Sequence, residues 1–241
     1  MSKLNWVKLP CAHGKNQVED YCEEFFNSKP TLIKHHILAY RKEENNYHLY
    51  ELFLRMYIEL IYNKNQLTEL EECKLKQEKF MEILNRVIHV SDLKDFMNCR
   101  ITVDDFKQFI QILMQNLNIY TDIDDIYKLL SVSMNYVDIL CRIIVLENFK
   151  ENFSLQESEI KKEEWVNWIC DVSENAEGLI ITYIARAFNC NIKEFTYFKE
   201  AKYHEYNSPN SQFTIYFFRR GNRYTELCNI QHIENLSMDF S

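Results

Sequence analysis

The chain has 241 residues, enough for one sizeable core without requiring a second domain, and it combines 16 Phe and 15 Tyr with only 3 Gly and 3 Pro. So few glycines leave no phosphate-cradling loop, which excludes P-loop and dinucleotide-binding readings. A formal net charge of −8 disfavours a nucleic-acid surface, which needs clustered Lys and Arg; the short run Arg219-Arg220-Gly221-Asn222-Arg223 is a small local exception.

Residues 1–30 read as a polar N-terminal segment with a short helical pattern, Val18, Tyr21, Cys22, Phe25 and Phe26 sharing one face before Pro30 interrupts it. A single domain is expected over residues 31–241, with a new segment beginning at 32–40. Residues 48–62 place Leu49, Leu52, Phe53, Met56, Leu60 and Ile61 at the 3.6-residue period of a core-facing helix. Residues 67–90 predict a helix with a charged, solvated face. Thr102 is a good N-cap with Asp105 three residues on, and Phe106, Phe109, Ile110, Leu113 and Leu117 then line one stripe. Residues 136–149 repeat the pattern through Ile139, Leu140, Ile143 and Ile144. Trp165 and Trp168, three apart, anchor a further helix. After acidic Glu174 and Glu177, which suit a helix start, Leu179, Ile180, Tyr183, Ile184, Ala187 and Phe188 do the same.

The period then changes. Residues 192–198, 213–218 and 224–228 are short, aromatic and β-prone, and the turn-rich Asn207-Ser208-Pro209-Asn210-Ser211 lies between the first two. Helices followed by three strands predict an α+β fold, a helical lobe with a small, mostly antiparallel sheet formed largely by the C-terminal third.

The eight cysteines, Cys11, Cys22, Cys73, Cys99, Cys141, Cys170, Cys190 and Cys228, show no C-x-x-C spacing. Reduced thiols in the cytosol or nucleus are the expectation. The opening Met1-Ser2-Lys3-Leu4-Asn5-Trp6 has no apolar run, and no stretch approaches membrane-spanning length, so neither a secretory leader nor a membrane partner is expected. No metal or cofactor is expected either. Cys11-Ala12-His13 has no second ligand pair spaced for zinc, and the adjacent His35-His36 would point to opposite faces of a strand.

Several runs, in order and at matching spacing over roughly residues 35–230, resemble the otubain branch of the ovarian-tumour cysteine proteases. Ala185-Arg186-Ala187-Phe188-Asn189-Cys190-Asn191-Ile192 is similar to the family's Ala-Gln-Ala-Leu-Ser-Val-Ser-Ile, and Ile215-Tyr216-Phe217-Phe218-Arg219-Arg220-Gly221 to its Leu-Leu-Tyr-Arg-Pro-Gly strand and turn. Asp125-Ile126-Tyr127-Lys128-Leu129-Leu130 with Tyr136-Val137-Asp138-Ile139-Leu140-Cys141-Arg142 resembles a mid-domain helix pair, and Leu49-Tyr50-Glu51-Leu52-Phe53 the first turn of the nucleophile helix. The resemblance implies a papain-like architecture whose groove holds a ubiquitin C-terminal tail. In active members a Cys at a helix N-terminus attacks the isopeptide carbonyl, a His takes its proton, and an acid or amide orients the His.

Carried over onto this chain, the family's Asp-Gly-Asn-Cys-Phe-Tyr-Arg falls on Asn45-Asn46-Tyr47-His48-Leu49-Tyr50-Glu51, and its Gly-His-Tyr-Asp on Gly221-Asn222-Arg223-Tyr224-Thr225. The nucleophile position becomes His48, the base position Arg223 and the orienting position Thr225. Arginine stays protonated and cannot act as a base. Asn46 also stands where the family has a glycine. The expectation is a catalytically inactive binder of ubiquitin, of a ubiquitin-charged conjugating enzyme, or of a larger assembly. Asn46, Tyr47, Arg219, Arg220 and Asn222 are the candidate binding residues, and RNA contact through the arginines is disfavoured by the overall acidity. The alternative is an active cysteine peptidase with displaced residues, such as Cys22 or Cys141 with His204 or His232.

Overall fold

The structure is a computed structural model that describes residues 6–8, 31–32, 34, 37–41, 48–62, 70–118, 123–153, 160–198, 200–209, 211, 213–220 and 223–229. The helical pattern expected at residues 18–26, and Asn46, Tyr47 and Asn222, lie outside them. The chain forms two compact units, one of Met1–Tyr47 with Cys190–Ser241 and the other of His48–Asn189.

The second unit is helical: α1 (Leu49–Tyr62), α2 (Leu70–Val87), α3 (Val103–Asn118), α4 (Ile123–Val132), α5 (Met134–Asn152), α6 (Lys162–Cys170) and α7 (Leu179–Ala187). Helix α5 is its axis, buried at every position from Val137 to Leu146 and packed against α1, α2, α4, α6 and α7. Helix α2 shows the other pattern. Only a stripe including Cys73, Lys76, Phe80, Leu84 and Val87 is buried, spaced three and four apart, and its charged face is solvated. Thr102 caps α3 as its sequence predicts: its Oγ1 accepts from Asp105 N–H at 3.1 Å and donates to Asp105 Oδ2 at 2.7 Å. Much of the aromatic content is spent here in edge-on pairs. Phe188 meets Phe53 at 5.0 Å and Tyr57 at 4.9 Å between ring centroids, and Phe149 meets Tyr183 at 4.7 Å. Gly178, at φ 50°, makes the left-handed turn into α7, and Lys76 Nζ donates to Asn189 O at 2.6 Å just beyond that helix's C-terminus.

The first unit is a six-stranded sheet in the order β1-β2-β6-β5-β3-β4 among the described residues. Its strands are β1 (Trp6–Lys8), β2 (Ile37–Arg41), β3 (Asn191–Phe198), β4 (Glu200–Tyr206), β5 (Thr214–Arg220) and β6 (Arg223–Asn229). All neighbours are antiparallel except β3 and β5. The chain turns back from β4 to reach β5 through the predicted turn, where Asn191 Oδ1 accepts from Ser208 N–H at 3.0 Å and its Nδ2 donates to Ser211 O at 3.1 Å.

The architecture is α+β, as expected, but the expectation of three strands is corrected to six. The three foreseen are β3, β5 and β6. Strand β4 is an edge strand with Lys202, Tyr203, His204 and Glu205 all exposed, so no face of it is apolar enough to show a two-residue period. Strand β2 reads Ile-Leu-Ala-Tyr-Arg, an apolar run that does not separate strand from helix, and β1 has only three residues. Among the described residues no helix is long and apolar enough to cross a membrane.

Candidate functional site

Several polar groups are tied together at the start of α1. The first intrahelical bond runs from Leu52 N–H to His48 O at 3.3 Å, which makes His48 the N-cap residue. Its own N–H donates to Glu51 Oε2 at 3.1 Å, the carboxylate reaching back over the first turn. The next amide, Leu49 N–H, donates to Asn175 Oδ1 at 2.8 Å, and the same oxygen accepts from Ala176 N–H at 2.9 Å.

Beneath this cap lies Arg142, fully buried on α5. Its Nε donates to Asp138 Oδ2 at 2.6 Å, one turn earlier, and its other nitrogens donate to Ile169 O at 2.9 Å and Glu174 O at 2.6 Å. The guanidinium lies 4.0 Å from the centroid of the Tyr50 ring. One cation thus binds α5, the end of α6, the 170s turn and the start of α1 together. Among the described residues Asp138 Oδ1 and the Tyr50 hydroxyl are buried without a hydrogen-bond partner.

Burial governs the titration of this cluster. It pushes Glu51 up to about 7, with Asp138 adding repulsion and the His48 N–H, Arg142 and Arg55 opposing. His48 is lowered by burial and Arg142 against the pull of Asp138 and Glu174, so its imidazole is held towards the neutral form. Burial raises the Asp138 carboxyl despite Arg142 and His48, and raises the Tyr50 hydroxyl above its ordinary range.

Among the described residues no thiol stands at this helix start. His48 is the cap, Cys73, Cys141, Cys170 and Cys190 are buried, and Cys99 is half-buried. Burial pushes the Cys170 thiol up, away from the thiolate that attack requires. Cys22 and His232 of the alternative reading lie outside the described residues, while His204 is exposed on β4 and belongs to the other unit. Among the described residues no cluster of His, Cys, Asp or Glu is suited to hold a metal.

Arg223 and Thr225 lie on β6 in the sheet unit, whereas His48 belongs to the helical unit. Arg223 is paired in register with Arg220, and Thr225 with Phe218. Arg219 turns to a carboxylate: its Nη1 is 3.5 Å from Oε1 of Glu194, a buried residue on β3. The same carboxylate accepts from the Tyr206 hydroxyl at 2.9 Å and the Tyr224 hydroxyl at 3.3 Å. Four strands are tied across one face by this group, and Arg219 is engaged within the sheet.

The sequence reading singled out neither Arg142 nor Glu194 as a site. An Asp-x-x-x-Arg pair inside the apolar stretch 137–146 is a legible sign of a buried ion pair. Asn175 carries no such signal, because its partner is a backbone amide 126 positions away.

No protein-family model matches the sequence, and no curated protein matches it significantly. Solved structures do. A complex of the otubain h/ceOTUB1 with ubiquitin aldehyde and UBCH5B~Ub aligns at 16% identity with a TM-score of 0.59, over 88% of this chain and 85% of that one. The corresponding complex with UBC13~Ub aligns at 14% identity and 0.60, over 89% and 85%. A ceOTUB1 complex with ubiquitin aldehyde and UBC13~Ub aligns at 16% and 0.59, over 87% and 88%. At these identities the likeness is one of fold.

Proposed function

We propose that this chain is a catalytically inactive otubain-fold protein that acts by binding ubiquitin or a ubiquitin-charged conjugating enzyme. The observation that carries the reading is His48 at the cap of α1, where the resemblance puts the attacking cysteine. In an active enzyme the helix dipole and its unused N–H groups lower the thiol pKa and stabilise the oxyanion. Here both functions are countered by the chain itself. The first two amides are engaged by Glu51 and Asn175, and Asp138 and Glu174 act on the position against Arg142. Glu51 stands where the family has an arginine, so the first turn lacks that cation. Arg223 and Thr225 at the other two positions supply no base and no acid.

The fold's likeness to otubains solved with ubiquitin and with UBCH5B~Ub or UBC13~Ub supports those partner classes. Fold alone does not carry function, so the test is direct. The purified chain is titrated with ubiquitin and with a conjugating enzyme bearing ubiquitin through a stable amide. Saturable binding to either, with both proteins recovered intact, is the expected result. Absence of binding to both overturns the proposed partners.

A further inference from the structure

We propose that the exposed face of α6 and the 170s turn is a docking surface for a basic partner segment, which sets a Lys or Arg side chain against the Trp168 ring and an apolar side chain against Met97. These two large apolar side chains stand open to solvent, Trp168 at 41% and Met97 at 44%. Their segments are joined. Met97 bridges Asp171 in parallel register, Val172 N–H donates to Met97 O at 3.3 Å, and Asn98 Nδ2 donates to Asp171 Oδ1 at 2.9 Å. Asp171 follows Trp168 by three residues, so the two open side chains lie on one connected stretch of surface.

The surface is braced from within. The buried Trp165 ring meets Trp168 edge-on at 4.8 Å, with 89° between the ring planes, which holds the outer indole in place. Arg142 donates to Ile169 O at 2.9 Å and to Glu174 O at 2.6 Å, fixing the backbone on both sides of Asp171. A partner therefore meets groups that are already ordered, and ordering them costs little on binding.

Charge chooses the occupant. From Glu163 to Ala185 the chain carries the carboxylates Glu163, Glu164, Asp171, Glu174 and Glu177 and no Lys, Arg or His. All of these are exposed except Asp171, which is half-buried. Glu164 lies one turn before Trp168 on the same helix face. Of the cations at the margins, Lys162 Nζ donates to Lys150 O at 2.7 Å and Lys94 Nζ pairs with Asp92 at 2.7 Å, while Lys161 and Arg100 are exposed. An indole face beside carboxylates attracts a cationic side chain twice over, through the ring quadrupole and through the negative charges. An acidic segment would gain the apolar contact and lose it again to repulsion, and a phosphate backbone would be repelled outright.

The test uses the full chain and two peptides, acetyl-Lys-Leu-Lys-Arg-Leu-Lys-amide and its counterpart with Glu at each basic position, titrated by NMR at low salt. The basic peptide should bind saturably, shift the Trp168 indole N–H more than that of buried Trp165, and weaken as salt is added, while the acidic peptide gives no saturable response. Trp168→Leu keeps an apolar side chain but removes the ring, and should weaken the basic peptide about five-fold or more, read from amide shifts along α6. Glu164→Gln combined with Glu177→Gln should weaken it as well and flatten the salt dependence. No saturable binding of the basic peptide by wild type overturns the proposal, and so does equal binding of the acidic peptide, the mark of a purely apolar contact. Undiminished binding by the folded Trp168→Leu variant would leave charge alone at work and also overturns it. The wild-type comparison of the two indoles stands even if a variant fails to fold: a Trp168 signal unmoved by saturating basic peptide overturns the surface. Ubiquitin takes no part in these measurements, so the surface and the proposed partners fail separately.

Discussion

Replacing Glu51 by Gln should change how stability depends on pH, and in a direction that its burial dictates. Glu51 titrates near 4.5 when unfolded and is pushed up to about 7 in the fold, mainly by burial and secondly by Asp138. Its folded pKa thus lies above its unfolded one, so folding favours the protonated carboxyl. Below pH 4.5 both states hold the proton and nothing is lost. As pH rises towards 7 the unfolded state releases it first, and the fold loses stability. At 1.36 kcal/mol per pH unit, the span from 4.5 to about 7 sets a ceiling of about 3 kcal/mol by pH 8.

Gln keeps the shape and an oxygen for the His48 N–H, so the 3.1 Å cap is retained while the ionisation is removed. The Gln variant should match wild type near pH 4.5 and exceed it by about 1–3 kcal/mol at pH 8, read from urea unfolding across that range. His48 works in the opposite sense. Its folded pKa is lowered, so the fold loses stability as pH falls through that of the unfolded imidazole, but this contribution is common to both proteins and largely cancels in their difference. Parallel pH profiles, or a Gln variant less stable at pH 8, would refute the assignment of a buried, charge-averse carboxyl at the helix start.

Other substitutions read other parts of the structure. Arg142→Ala strands the buried Asp138 and should cost about 3–5 kcal/mol by denaturant unfolding, while Arg142→Met with Asp138→Leu should recover most of that loss. Thr102→Ala removes the cap of α3 and should lower stability by about 1 kcal/mol with an unchanged denaturant slope. Glu194→Ala removes the acceptor shared by Arg219, Tyr206 and Tyr224; about 2–3 kcal/mol is the expected loss, with Glu194→Gln losing less.

The helical half of the fold was legible because its signals are local. The helix α1 forms where its apolar period predicts, although Met56 of the six-residue stripe is only half-buried and Tyr50, Leu54, Arg55, Tyr57 and Ile58 are buried as well, and the Thr102-Asp105 pair marks the start of α3. The sheet was half legible. Strands β3 and β5 carry buried aromatic side chains such as Phe195, Phe217 and Phe218, whereas β4 exposes charge along an edge and leaves no pattern. At the start of α1 the family resemblance pointed to His48 as the position where the family has its cysteine. It did not supply the closure of that position. Asn175 and Leu49 meet through a hydrogen bond set by the 170s turn, and the turn is placed by Arg142, whose two backbone acceptors leave no trace in residue type. Trp165, expected to anchor its helix, meets Trp168 edge-on at 4.8 Å, and Arg219, a candidate binding residue, faces Glu194.

We propose that the otubain fold is kept here without its nucleophile. The most direct test is the intact mass of the chain after incubation with ubiquitin bearing a C-terminal electrophile, with an active otubain as positive control. The predicted result is an unmodified chain while the control is fully labelled. An adduct of one ubiquitin on a cysteine, abolished by a single substitution at that cysteine, would contradict the claim and show the chain to be an active peptidase.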